Sequence, residues 1–373
     1  MKVLVTGGAG FVGSHMVDLL LAQGHEVTVF DNLDPQVHGP NQEVPAYLSQ
    51  EARFVMGDIR DEDSLYEVLR QAEGIIHLAA AVGVGQSMYQ IRHYVDVNTL
   101  GTAILLDLLA NRKHQVGKMV VASSMSIYGE GTYECANCGV VYPLLRSDEQ
   151  FEQRDWQVYC PHCDKQVTPI PTPENKPLQP TSIYAISKKD QEEMSLAVGR
   201  AYQVPVTALR FFNIYGSRQS LNNPYTGVAA IFSSMLLNNN QPIIFEDGLQ
   251  TRDFIHVHDV IQAIYLALTK PESDYQIYNV GCGNPIGIKE VAELLSYNLG
   301  KDIKPQVIGK FRTGDIRHCY ADTSRIEREL GFTPKINFST EGAKDLTAWV
   351  RKQTAKDSVS KATQILFDRG LAR

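Results

Sequence analysis

Tyr184 and Lys188 stand four residues apart in the run YAISK, and in a helix that spacing puts both side chains on one face. A phenol is a weak base at its reference pKa of about 10, but an ammonium within reach favours the phenolate. The pair could then take a proton from a ligand hydroxyl at neutral pH. Y-x-x-x-K alone is a common string, so the chemistry needs a further group. The run VVASSMSIYG supplies one: a serine there sits where a strand ends, and its hydroxyl could bond both a reacting hydroxyl and the phenol. Four cysteines form a second constellation. Cys135-x-x-Cys138 and Cys160-x-x-Cys163 are 21 residues apart, and two such knuckles match a four-thiolate zinc ribbon. With four thiolates no coordination position is left open, so the metal would be structural. A redox disulfide pair and a partner-binding ribbon are the alternatives. His162, beside a knuckle, is not needed as a ligand, and the isolated Cys282 and Cys319 read as packing residues.

A third constellation is the loop TGGAGFVG, with Gly7, Gly10 and Gly13 at i, i+3 and i+6 between a strand and a helical pattern from Ser14 to Ala22. This spacing lets backbone amides at a helix N-terminus approach a pyrophosphate, with Phe11 and Val12 between the glycines. Asp31 ends the second strand at the distance a ribose-binding carboxylate requires. Followed by Asn32 and no nearby arginine, it would repel a ribose 2′-phosphate, which favours NAD over NADP. Asp58 and Ile59 would lie over the adenine, and Leu78, Ala79 and Ala80 beside the dinucleotide.

The elements that must carry these groups are short apolar runs at Lys2 to Thr6, Glu26 to Asp31, Arg53 to Gly57, Gly74 to Ala79 and Lys118 to Ser123, each followed by a longer helical or loop segment. This rhythm predicts an α/β fold, a doubly wound parallel (Rossmann) sheet covered on both faces. Further strands are expected at Val206 to Phe212 and Gln276 to Val280, and a helix over Ser182 to Tyr202. The expected division is a Rossmann domain over 1–216 with a zinc-ribbon insertion at 131–173, rejoined by 251–280. A smaller α/β substrate domain takes 217–250 and 281–352, and 353–373 is a polar appendage ending in a short helix. With 43% hydrophobic residues, 21% charged and a net charge of −7, the 373-residue chain falls in the globular class, with no overall field to draw it to nucleic acid or anionic lipid. The N-terminus has no signal-peptide pattern and no run is long enough to span a bilayer, so a cytoplasmic location is expected.

Together with HLAA, Asn98, SSxxxYG, RFFNxYG at 210–216, RDFIHVHD at 252–259, NVG at 279–281 and RxGD at 312–315, these motifs resemble the extended short-chain dehydrogenase/reductases. Within them the sequence is similar to the nucleotide-sugar epimerases and dehydratases. The resemblance covers about residues 1 to 350 and implies Ser124, Tyr184 and Lys188 as a catalytic triad. Asn98 and Lys188 would order the helix and the nicotinamide ribose, and Phe211 would serve the cofactor side, with NAD kept bound between turnovers. Ser87, Ser126, Asn213, Phe245, Arg252 and Arg312 would serve a nucleotide-sugar substrate, and a homodimer is expected. Dehydratases of the family carry an Asp-Glu pair directly after the catalytic Ser or Thr; here Met125 and Ser126 stand there. Without that acid and base, water elimination is disfavoured and reversible oxidation at one carbon remains. Finer resemblance points to the dTDP-L-rhamnose 4-epimerase branch, with UDP-glucose or UDP-glucuronate 4-epimerases next. A reading of another class is a catalytically inactive NAD sensor whose ribbon binds a partner.

Overall fold

The structure is a computed structural model and describes residues 1–373. Its centre is a sheet of seven parallel strands: β1 (Lys2–Thr6), β2 (Glu26–Asp31), β3 (Arg53–Met56), β4 (Gly74–His77), β5 (Lys118–Ser124), β6 (Val206–Phe211) and β7 (Ile277–Val280). They run in the order β7-β6-β5-β4-β1-β2-β3, all in parallel register. Every residue of β4, β5 and β6 is buried, as continuous apolar runs require when helices cover both faces. On one face Met16, Val17 and Leu20 of the Phe11–Ala22 helix pack with Val260, Ile264 and Leu268 of the Val257–Thr269 helix. On the other, Leu65, Leu105, Leu109 and Leu196 come from three further helices. The strand order reverses between β1 and β4, which opens the crevice where ligands bind in such sheets.

Element ends differ from expectation for identifiable reasons. The first helix starts at Phe11 rather than Ser14, because Gly10 is its N-cap. The long helix begins at Ile183, since Ser182 is extended and its hydroxyl accepts from Ala185 N at 3.1 Å. It stops at Tyr202, where Gln203 turns left-handed.

A smaller sheet joins Asn213–Tyr215, Thr251–His256, Pro285–Gly287 and His318–Cys319. Of the 251–280 stretch expected in the Rossmann half, the Val257–Thr269 helix and β7 go there, whereas Thr251–His256 pairs into this second sheet. Phe232, Phe254, Val291, Leu295, Phe338 and Leu346 make a core of its own behind it. The insertion folds as an antiparallel sheet of Thr132–Cys135 flanked by Gly139–Val141 and Thr168–Ile170. Residues beyond Lys352 do not hang free as a polar appendage. The helix Val359–Asp368 buries Val359, Ala362 and Leu366, an i, i+3, i+7 stripe, and Ala372 is buried after it. No helix is long and apolar enough to cross a membrane.

Candidate active site

A single cavity of about 700 Å³ runs from the glycine loop to the second sheet. At its first end Gly10 caps the Phe11–Ala22 helix without a side-chain bond, so the first-turn N–H groups are free for an anion. The glycines are there for close approach. Gly7 has a φ of +70° and a Cβ on it would lie 2.8 Å from Ala79 N, while one on Gly13 would lie 2.3 Å from Gly7 O. Asp31 lines the cavity, and its carboxylate accepts from Ala9 N at 3.0 Å and Leu33 N at 2.9 Å. Each oxygen can accept a second bond, so the group that shapes the loop keeps capacity for ribose hydroxyls. Phe11, Val12, Asn32, Asp58, Ile59, Leu78, Ala79, Ala80 and Phe211 line the same end. Asn32 Nδ2 donates to Asp58 at 3.0 Å, and Arg60 forks onto that carboxylate at 2.8 and 2.7 Å. The fork holds the Asp58 carboxyl well below its usual range despite partial burial. It also occupies Arg60, a cation the sequence had not placed at this wall. The cradle and carboxylate fit a dinucleotide without a 2′-phosphate.

In the middle of the cavity Ser124, Tyr184 and Lys188 come together at the wall, with Ser124 at the end of β5. Ser124 Oγ accepts from Ser126 N at 3.1 Å and from the Ser126 hydroxyl at 2.9 Å. Burial raises the Tyr184 phenol above its usual value, opposed by its hydrogen bond with Ser124. Burial also pushes the Lys188 ammonium down to about 7, against the pull of Glu192. Lys188 Nζ donates to Gln191 Oε1 at 2.7 Å, and Gln191 Nε2 donates to Thr102 Oγ1 at 2.6 Å. His77, pushed down to about 3 chiefly by burial, is therefore neutral; its ring bridges Thr6 Oγ1 at 2.8 Å and Thr102 Oγ1 at 3.0 Å. His77 heads the HLAA motif, but no motif states the side-chain chain that fixes where the ammonium sits. Behind the helix, Arg210 grips Glu192 at 2.5 and 3.0 Å and donates to Tyr128 Oη at 2.8 Å.

Two expected contact residues stand behind the cavity wall instead of on it. The Asn98 amide, fully buried, bonds Ala81 N at 2.7 Å, Ala81 O at 3.0 Å and Ser187 Oγ at 2.9 Å. Ser87 Oγ accepts from Tyr184 N at 3.0 Å and donates to Val84 O at 2.7 Å. Both use up their polar atoms in holding the helix that carries Tyr184 and Lys188, so they position that helix.

At the far end Ser126, Asn213, Phe245, Arg252 and Arg312 line the cavity. Asn213 Oδ1 is buried with no partner in the protein, as a ligand-facing acceptor would be. Arg252 donates to Ile316 O at 2.6 Å and to Asp315 at 3.2 Å, and Arg312 meets the same carboxylate at 2.8 Å. Burial pushes the Asp315 carboxyl up, but the two guanidiniums outweigh it and the net shift is downward. Two cations against one anion leave a positive centre suited to a diphosphate. The Arg312 guanidinium also lies 4.8 Å from the Phe245 ring centroid, beside a flat apolar face for a base.

Outside the cavity, the Sγ atoms of Cys135, Cys138, Cys160 and Cys163 all lie within 4.8 Å of one another, with Cys135 and Cys163 at 3.6 Å. The backbone N–H of Asn137 lowers the Cys135 thiol to about 7, whereas hydrogen bonding to Cys163 pushes Cys138 up to about 12. The insertion is locked to the far end of the cavity. Arg146 forks onto Glu246 at 2.9 and 3.0 Å, and Arg317 joins Glu246 at 2.8 Å and Asp247 at 2.6 Å.

The NAD dependent epimerase/dehydratase family matches residues 3–146 and 157–281. The chain belongs to this family. Its relatives include the dTDP-L-rhamnose 4-epimerase of Burkholderia thailandensis, 34% identical over 355 residues, 94% of this chain and 95% of that protein. Among solved structures, the Thermotoga maritima UDP-glucose 4-epimerase with UDP-glucose aligns with a TM-score of 0.75 and 29% identity, covering 94% of this chain and 99% of that one. The Thermus thermophilus UDP-glucose 4-epimerase complexed with NAD aligns with a TM-score of 0.74 and 29% identity, covering 95% and 100%.

Proposed function

We propose that the protein is an NAD-retaining nucleotide-sugar 4-epimerase with dTDP-L-rhamnose as its preferred substrate. The observation that carries this reading is the order of groups along one cavity: a dinucleotide cradle, then Ser124, Tyr184 and Lys188, then the Arg252 and Arg312 anion site. NAD held there would supply the hydride acceptor and donor. Ser124 and Tyr184 bond the sugar 4-hydroxyl, Tyr184 takes its proton, and Lys188 sets the electrostatics of the phenol. A cation beside the buried phenol favours the phenolate, so Tyr184 becomes a competent base when the cofactor end is filled. Met125 and Ser126, where a dehydratase needs a carboxyl pair, limit the chemistry to oxidation and its reversal. The keto sugar then turns over, the hydride would return to its other face, and Tyr184 gives its proton back to the 4-oxygen.

The choice of substrate is supported by the 34% identity to the Burkholderia enzyme across nearly the whole of both chains. UDP-glucose and UDP-glucuronate are the next substrates to try. The intact triad disfavours an inactive sensor.

Structural zinc in the four-cysteine cluster, a cytoplasmic location and a homodimer belong to the same proposal. Thiolate sulfurs about 2.3 Å from a tetrahedral zinc are consistent with the observed crowding. The dimer is supported by exposed apolar residues on neighbouring helices, among them Val95, Leu100 and Ile186. The same proposal divides the chain into a Rossmann half over 1–216, with the insertion at 131–173 and rejoined by 257–280, a substrate half over 217–256 and 281–352, and a C-terminal segment over 353–373.

The test is Tyr184→Phe. Interconversion of dTDP-L-rhamnose and its C4 epimer should fall by about 10²- to 10⁴-fold with bound NAD unchanged. Turnover at the wild-type rate would remove the assigned mechanism.

A further inference from the structure

None of the motifs reaches the tail beyond Lys352, yet the tail lines the cavity. It starts pinned to the substrate half: Lys356 N donates to Asn222 Oδ1 at 2.8 Å, and Asn240 Nδ2 to Asp357 at 2.6 Å. The Val359–Asp368 helix then crosses to the loop that carries Ser87. A Cβ on Gly85 would lie 3.4 Å from Leu366 Cδ2, and the Arg369 guanidinium lies 4.6 Å from the Tyr89 ring centroid. From there the chain doubles back beside Arg312. Thr313 N donates to Leu371 O at 2.9 Å, and Phe311 and Arg373 exchange backbone bonds of 2.9 and 3.0 Å. Arg373 ends on Asp148 of the insertion at 2.9 Å. A terminus tied at both ends and in its middle is a built element, not a fraying end.

The side it turns inward is apolar. Val359, Ala362, Leu366 and Leu371 line the same cavity as Tyr184 and Arg312, with Thr363 the one hydroxyl among them, while Lys361 and Gln364 face solvent. Leu366 lies between the loop under the catalytic helix and the Phe245 ring, in one cluster with Phe245 and Ala372.

We propose that residues 355–373 form the outer wall of the nucleotide-sugar compartment, and that Ala362 and Leu366 touch the ligand along an apolar edge and select for a methyl group there. The inference rests on the nucleotide-sugar reading above. A hydroxyl set against this wall would lose its water without gaining a partner, whereas a methyl would gain contact. Two parts of a ligand can present that methyl: the ring of thymine, or carbon 6 of a 6-deoxyhexose. One missing methyl contact in an apolar pocket changes affinity by about 10- to 200-fold.

The experiment is calorimetric titration of the NAD-loaded full chain with dTDP, UDP, dTDP-L-rhamnose and dTDP-glucose, with NAD content and melting temperature recorded for each variant. Ala362→Trp, which fills the wall, should weaken dTDP-L-rhamnose at least about tenfold, and Lys361→Trp next to it should not. Leu366→Ala removes atoms without adding any, so it tests the wall even where the tryptophan substitution unfolds the segment; it should shrink the wild type's preference for the methylated ligand. A shrunken dTDP-over-UDP preference places the methyl on the base. A shrunken rhamnose-over-glucose preference, with the base preference intact, places it on the sugar. Affinities unchanged in both Ala362→Trp and Leu366→Ala overturn the wall alone. A wild type that binds none of the four ligands overturns the nucleotide-sugar reading and this inference with it.

Discussion

Lys188 meets two demands that pull against each other. It must be buried to act on Tyr184, and burial has pushed its ammonium down to about 7. Gln191 eases this with a neutral acceptor at 2.7 Å, itself anchored by Thr102. Gln191→Leu removes the acceptor and leaves a buried ammonium short of one bond, a cost of about 1–3 kcal/mol. The expected outcome is a lower melting temperature and less NAD per protomer; wild-type values for both would show that Gln191 is a bystander. Tyr184 and Lys188 were legible because an i, i+4 spacing states a geometry, and Ser124 through the family motif it stands in. Gln191, His77 and Thr102 were not, since they meet from a helix, a strand and a second helix with no shared periodicity. Asn98 was legible as a residue that orders this helix, whereas Ser87 was legible only as a position near the sugar.

The insertion behaves as one element clamped at two points. Its own core is small, with Tyr133, Val141, Val158 and Val167 beside the cysteines, so the proposed zinc would supply much of the insertion's stability. Its outward clamp is the Arg146 fork on Glu246, the residue after Phe245. Cys138→Ser should lower metal content from one zinc per protomer and lower the melting temperature, and weaken nucleotide-sugar binding more than NAD binding. Freshly purified, reduced wild type without zinc would remove the metal from the account. The knuckles were legible as spacing, because C-x-x-C needs only a tight turn, and Gly139 and Asp164 do take left-handed conformations there. The long-range clamp was not, because a buried Arg–Glu pair 100 residues apart leaves no local pattern. The tail shows the opposite failure. Its apolar stripe at 359, 362 and 366 is local and readable, but a short helix at a chain end gives no sign of what it packs on.

Across the whole molecule, the parallel, doubly wound sheet and the continuous burial of β4 and β5 followed from apolar runs and their spacing, whereas the strand order and the exchange of Thr251–His256 into the second sheet depended on pairing that sequence does not record. Burial also sets how the fold responds to acid. His77 is pushed down to about 3 and His15 to about 4, in each case chiefly by burial, from an ordinary value of 6.5. Between about 6.5 and 4 the unfolded chain binds protons that the folded chain refuses, so stability is lost as pH falls through that window. Two such groups give a slope approaching about 2.7 kcal/mol per pH unit. The urea midpoint should drop clearly from pH 7 to pH 5; a flat profile would mean that these rings are not held neutral. The account's central claim is tested most directly by proton NMR of the protein with dTDP-L-rhamnose carrying deuterium at C4 and no added reductant. It predicts a second sugar whose anomeric and C6-methyl proton shifts match those of the C4 epimer and whose H4 signal stays absent, because the deuteride that leaves is the one that returns. An unchanged spectrum, or an inverted product with solvent hydrogen at C4, would contradict it.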